Sequence, residues 1–326
     1  MDKYLEHLYR FNLQLDPRAL HARRLEVLRQ GKRPDAVVVV GMGGSGLAGD
    51  AVRALRNKIG LNYPVEVFKS SKIPKLPFKN PFYIFVSFSG NTAETIGALK
   101  GVLGSKKSCL AIVTTGGKLG TIAKQNKLPI ITFSAPDLTP REGLGYTYNA
   151  LKKLLLVRFP SSIKSFGTPK FGHKNLEAYG KSLAGKLRNK LTLVYSQEKD
   201  LHLGKIWKAT LNETGGLPAF CNTFPEVAHN EIVSFENQLS KKSHILFLAP
   251  PLFKADKESR RANVFMALAR KEGIASNIIS LEDHNPEEVM WNSFLLAHYT
   301  SHALAKLNKK NPFKTKLIDK FKKLTR

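Results

Sequence analysis

The chain has 326 residues, 42% of them hydrophobic and 24% charged, a length sufficient for two packed domains and a makeup close to the globular average. Collagen-like, coiled-coil and disordered classes are thereby excluded. Lys and Arg number 52 against 25 Asp and Glu, a formal charge of +27 that favours anionic partners.

Residues 306–326, KLNKKNPFKTKLIDKFKKLTR, concentrate nine Lys/Arg beside one Asp, while the rest of the excess is spread thinly. The sequence carries no helix-turn-helix, zinc-finger or aromatic-laced RNA signature, so a generally basic surface is the reading and a nucleic-acid partner is not expected. No apolar stretch approaches the roughly 20 residues of a membrane helix. The opening MDKYLEHLYRFNLQLD lacks the apolar core and small-residue cleavage site of a secretory signal. A cytoplasmic protein without membrane association is expected. Cys109 and Cys221 are too few for a disulfide framework and lack zinc-site pairing.

Residues 1–34 read as a helical N-terminal segment, with Asp16 and Pro17 as N-cap and first residue of a helix through ALHARRLEVLRQ. The run DAVVVV (35–40) is the continuous β-branched kind that is buried on both faces of a parallel sheet. Similar runs follow with helical stretches between them: YPVEVF (63–68), FYIFVSF (82–88), SCLAIVTT (108–115) and LPIITF (128–133). This alternation predicts a doubly wound α/β domain over 35–159, closed by a helix at 142–159. A linker rich in Gly, Pro and Ser is expected at 160–175.

A second α/β domain is expected over 176–326, with strands LTLVYS (191–196), HILFLA (244–249) and ASNIISL (275–281). Helices are placed near 199–214, 256–272 and 285–308, and a basic C-terminal helix at about 314–325.

GMGGSG (41–46) satisfies GxGxxG between a strand and a helix, which raises a dinucleotide site. The acidic partner is missing: Glu66 lies within a strand, and the strand's end reads FKSSK. A second loop, SFSGNT (87–92), repeats the hydroxyl-and-glycine chemistry at another strand-to-helix junction. Together the loops suit a phosphoryl group: Ser45, Ser87, Ser89 and Thr92 offer hydroxyls, Gly90 admits the backbone, and a helix N-terminus adds unpaired N–H groups. Capping of the helix by Ser89 or Asn91 is compatible with that role.

GMGGSGLAGD, SFSGNTAET, TPREGLGYTYNAL, LNETGGLPAF and PEVAHNEIVSFE, in this order and spacing, closely resemble the bifunctional phosphoglucose/phosphomannose isomerases of the sugar isomerase (SIS) fold. The resemblance covers nearly the whole chain. It implies two successive SIS-type domains, with Gly44, Ser45, Ser87, Ser89 and Thr92 holding the sugar phosphate. Arg141, Glu213, His229 and a C-terminal Lys would form the catalytic group. The family pattern of Ile four places before the Lys selects Lys322 after Ile318, with Lys320 and Lys323 as competitors. A small residue at the Thr315 position is taken by the resemblance to allow C2–C3 rotation, and hence dual glucose and mannose activity. A homodimer with His229 supplied across the interface is also implied. The NETGG stretch departs from the more polar family pattern after the catalytic Glu.

The chemistry can be matched to residue types independently. Interconverting an aldose and a ketose 6-phosphate requires ring opening, proton transfer between C2 and C1, and stabilisation of an enediolate. A single carboxylate, Glu213, can take and return the proton. Imidazole, titrating near about pH 6.5, suits ring opening at His229, and Arg141 can offset charge developing on the enediolate oxygen. Standing alone, Arg141 would read as a surface residue at a helix start, and a Lys in such a run as part of a solvated face. Glu226, His229 and Glu231 form one ExxH-like segment without a partner, so no metal and no cofactor are expected. The rival function is a non-catalytic sugar-phosphate sensor, which would leave Glu213, Arg141 and His229 unexplained. A third, the isomerase half of an aminosugar synthase, would call for a glutaminase domain that this sequence does not contain.

Overall fold

A computed structural model of the chain describes residues 2–104, 109–164, 169–249, 257–280 and 285–325. Two compact units make up the fold, one spanning Tyr9–Thr168 and the other joining Met1–Leu8 to Pro169–Arg326. The first helix, α1 (Lys3–Tyr9), therefore contributes chiefly to the C-terminal unit, where Tyr4 is fully buried.

The expected helical segment over 1–34 is corrected here. Asp16 does accept from the Arg18 backbone N–H, with Pro17 in the first turn, but the turn ends at Ala19 and strand β1 (Leu20–Arg23) follows. A short turn over Leu25–Arg29 comes next, after Arg24 at φ 60°. The strand arises because the last parallel strand of the sheet has an unpaired edge. Backbone pairing there, from Leu20 opposite Phe133 to Arg23 opposite Ile130, overrides the local helical preference.

The unit Tyr9–Thr168 continues with β2 (Ala36–Val40), α2 (Gly43–Leu55), β3 (Val65–Phe68), β4 (Pro81–Ser87) and α3 (Ala93–Leu103). It is completed by β5 (Cys109–Thr114), α4 (Gly117–Gln125), β6 (Ile130–Phe133) and α5 (Leu144–Arg158). The sheet order is β1-β6-β5-β4-β2-β3, parallel except for β1. Every residue of β2 is buried, because the sheet is covered on both faces. Val38 and Val40 join a cluster with Leu99 of α3 and Leu119 of α4, whereas Val39 lies under Gly49 of α2. A fully buried valine contributes about 1.5 kcal/mol or more.

The other unit contains α6 (His173–Leu187), β7 (Leu191–Gln197), α7 (Leu201–Thr210), β8 (Ala219–Phe224) and β9 (Ser243–Ala249). It ends with α8 (Lys257–Lys271), β10 (Ala275–Ser280), α9 (Pro286–Leu307) and α10 (Lys316–Leu324). Its sheet, β10-β9-β7-β8, is wholly parallel. Both units are thus α/β with helices flanking a mainly parallel sheet. Helix α9 begins where Asn285 accepts the Glu287 N–H and Pro286 fills the first turn. It is buried along most of its length. Among the sequence-predicted positions, Ser108, residues 165–168 of the linker, Asp256 and Leu281 lie outside the described residues.

Candidate active site

In the Tyr9–Thr168 unit the chain order turns around between β2 and β4, which are paired from Ala36 opposite Pro81 to Val40 opposite Phe85. Ligands of doubly wound sheets bind beyond the carboxyl ends of strands at such a reversal. The two hydroxyl-rich loops emerge there.

Close backbone packing explains the glycines. A Cβ on Gly41 would come within 2.9 Å of the Val86 carbonyl oxygen, and one on Gly44 within 2.5 Å of that of Pro140. Gly90, at φ +70°, would bring a Cβ to 1.8 Å from the Gly116 carbonyl oxygen. The loops are cross-bonded as well. Ser45 Oγ accepts the Phe88 N–H at 3.0 Å, and Ser87 Oγ accepts the Gly90 N–H at 3.1 Å while lying 2.9 Å from Thr92 Oγ1.

Thr92 is the N-cap of α3, but its side chain accepts no helix N–H. The first-turn donors of α3 are therefore not capped by that hydroxyl. Ser89, exposed at the loop tip, accepts only the Asn91 N–H, at 3.3 Å. Gly44, Ser45, Ser87, Ser89 and Thr92 are thus brought into one cradle.

Arg141 belongs to the same cradle through its backbone, which Gly44 approaches closely, and it is only 6% exposed. Its turn is held by Glu142, whose carboxylate accepts from Thr139 N at 3.1 Å and from Thr139 Oγ1 at 2.6 Å, just ahead of α5. Sequence reasoning overlooked Lys69. Its Nζ donates to buried Asp50 at 2.5 Å, and its chain passes over Gly46, where a Cβ would lie 2.8 Å from Lys69 Cε. The FKSSK motif, noted only for its lack of acid, was the available signal.

In the C-terminal unit α7 widens into a π-helical turn, Leu211–Gly215, that carries half-buried Glu213 and is ended by Gly216 at φ +64°. Such turns recur at functional sites because they redirect side chains out of helical register. Asn212 ties the turn to β8, donating to the Ala219 carbonyl at 3.2 Å and accepting its N–H at 2.8 Å. Thr214 Oγ1 lies 3.2 Å from Tyr4 Oη, which lies 2.6 Å from His298 Nδ1. Lys310 Nζ donates to the Glu213 carbonyl at 3.0 Å. The lysine the structure brings to the Glu213 backbone is therefore Lys310, a residue not singled out from sequence.

His229 is exposed at the end of a short turn, Glu226–Ala228, following β8. Thr315 starts α10 without capping it, and Lys322 is exposed on that helix, as are Lys320 and Lys323. Helix α10 also exposes Leu317, Phe321 and Leu324. The strand β8 and helix α6 went unread in the sequence, β8 because AFCNTF mixes apolar and polar residues without a clear period. Among the described residues no helix is long and apolar enough to cross a membrane.

Residues 176–324 match the family model "Bacterial phospho-glucose isomerase C-terminal SIS domain". A bifunctional phosphoglucose/phosphomannose isomerase of Caldicellulosiruptor bescii is 28% identical over 96% of both chains. A protein of the same description from Aquifex aeolicus is 27% identical over 88% of this chain and 89% of its own. The C-terminal domain of glucosamine-fructose-6-phosphate aminotransferase from Francisella tularensis superposes with a TM-score of 0.71 at 11% identity, covering 95% of this chain and 98% of that one, a likeness of fold. The chain is thus similar over nearly its whole length to bifunctional phosphoglucose/phosphomannose isomerases, and its residues 176–324 match the SIS-domain model of bacterial phospho-glucose isomerase.

Proposed function

We propose that the protein is an aldose–ketose isomerase that interconverts glucose 6-phosphate, and also mannose 6-phosphate, with fructose 6-phosphate. The observation that carries this reading is the cross-bonded pair of loops, Gly41–Gly46 and Ser87–Thr92, at the sheet reversal of a chain whose relatives carry that isomerase description. Short hydroxyls, an uncapped helix start and a buried arginine suit a phosphorylated sugar.

The substrate phosphate is held by Ser45, Ser87, Ser89 and Thr92, with the Gly44 backbone alongside. His229 exchanges a proton between the O1 hydroxyl and the ring oxygen to open the ring. Glu213 then removes the C2 proton and returns it to C1, and Arg141 offsets the charge that develops on the enediolate oxygen. Lys322 adds a second cation from α10. Glucose and mannose 6-phosphates differ only at C2, which becomes planar in the enediolate, so both reach one intermediate. Thr315 leaves room for the C2–C3 rotation that reprotonation on either face requires. The working form on this reading is a homodimer with His229 supplied by the neighbouring subunit, a cytoplasmic enzyme of central carbohydrate metabolism without cofactor or metal.

The test is an assay of purified protein in excess chelator for fructose 6-phosphate formed from each aldose phosphate separately. Turnover of both is expected. Binding of glucose 6-phosphate without turnover of either would replace the isomerase by a sensor.

A further inference from the structure

The segment that carries His229 has little regular structure to hold it. Between β8 and β9 the chain forms only short turns, Glu226–Ala228, Glu231–Glu236 and Gln238–Lys242. Two fully buried side chains, Val227 and Phe235, anchor its ends in the core beside β7 and α8, and the half-buried Ala228 and Ile232 pack against the same cluster. Between them His229 and Asn230 are exposed, and Val233 is 68% exposed. The exposed His229 and Asn230 themselves carry no apolar anchor that would fix their direction.

One polar residue supplies it. Both oxygens of Glu231 are held at 2.5 Å, Oε2 by the hydroxyl of Tyr195 on β7 and Oε1 by the side-chain amide of Asn222 on β8. The Asn222 amide is itself oriented, because its oxygen accepts the Thr223 N–H at 2.8 Å. Tyr195 is 1% exposed and packed against Phe265. Burial, and then the neighbouring Glu231, raise the Tyr195 phenol above its ordinary range, so it remains a donor. Charge-assisted bonds of this length are the strong kind. Two neighbouring strands thus grip one carboxylate two positions after His229. The local turn is closed by His229 N–H to the Glu226 carbonyl at 2.9 Å and Asn230 Nδ2 to Glu226 Oε1 at 2.6 Å.

We infer that Glu231, gripped by Tyr195 and Asn222, is a positioning residue that fixes the His229 imidazole for the ring-opening proton transfer. The inference rests on the proposed role of His229, and Glu231 itself touches no reacting atom. Proton transfer requires hydrogen-bond reach, and a displacement of about 1 Å can cost about 100-fold in rate. Loosening the grip should therefore lower kcat and leave KM nearly unchanged, since the phosphate is held elsewhere.

The test is a double-mutant cycle with glucose 6-phosphate as substrate. Tyr195→Phe keeps the ring in the core and removes one donor, and Glu231→Ala removes the grip; thermal unfolding of each variant reports folding. Each should lower kcat about tenfold or more, with KM within about twofold. Tyr195→Phe provides the reading if Glu231→Ala does not fold. In a His229→Ala background Tyr195→Phe should cost nothing further, because the grip acts only through the imidazole. An undiminished kcat in folded Tyr195→Phe, or an equal further loss in the His229→Ala background, overturns the positioning role. Wild-type turnover by His229→Ala alone would instead remove the proposed role of His229, and the grip's catalytic role with it.

Discussion

Ser45 Oγ on the first loop accepts the backbone N–H of Phe88 on the second at 3.0 Å, which ties two strand-to-helix junctions 43 residues apart into one cradle. The contact gives Ser45 a structural role beside the phosphate-holding one proposed for it. Ser45→Ala leaves a buried N–H unsatisfied, at a cost of about 1–3 kcal/mol, and weakens sugar-phosphate binding. Ser89→Ala, at an exposed tip, should weaken binding with little change in stability. Thermal unfolding and titration with glucose 6-phosphate, run on both variants, separate the two.

Gly90 and Gly43 both lie in the left-handed region, at φ +70° and +50°, but only Gly90 faces backbone: a Cβ there would sit 1.8 Å from the Gly116 carbonyl oxygen, whereas nothing lies within 4 Å of Gly43. Gly43→Ala should cost only the conformational penalty of about 1–2 kcal/mol. Gly90→Ala must also displace the α4 start and should cost well beyond that, measured as the fall in denaturant midpoint. Equal losses for the two would contradict the packing described.

Buried histidines make stability depend on pH. Burial lowers the pKa of His173, His244 and His302, and the Lys186 and Lys190 charges lower His244 further although its bond to Asn277 opposes this. For His302, Asp2 and Glu177 oppose the burial effect and Lys306 adds to it. The unfolded chain takes up protons first as pH falls, from about 6.5 downward. Stability contributed by these neutral histidines is therefore full above that pH and is lost as pH falls through the depressed folded values. The unfolding midpoint should decline between about pH 7 and pH 5, and His244→Gln should flatten the decline. A midpoint that rises over that interval would contradict this assignment.

The parallel sheets were legible because DAVVVV, FYIFVSF and HILFLA are near-continuous apolar runs, and burial on both faces is what such runs require. The glycine and hydroxyl loops were legible for a related reason: glycines admit close backbone packing and short hydroxyls cross-bond the two loops. What escaped depended on partners distant in sequence. The strand Leu20–Arg23 exists because β6 offers an edge, and the π-turn under Glu213 becomes visible only with its contacts to β8 and Tyr4. Lys69 over Gly46 and Lys310 on the Glu213 carbonyl were hidden among 52 basic residues, where spacing carries no signal about which cation turns inward.

Glu213 is the residue on which the isomerase account turns, and Glu213→Gln changes its charge with little change in shape. Turnover of glucose 6-phosphate and exchange of its C2 hydrogen with deuterated water should be measured together on this variant, alongside sugar-phosphate binding. The account predicts that isomerisation and exchange fall together by at least about 100-fold while binding persists. Near-normal turnover or exchange in folded Glu213→Gln would contradict it.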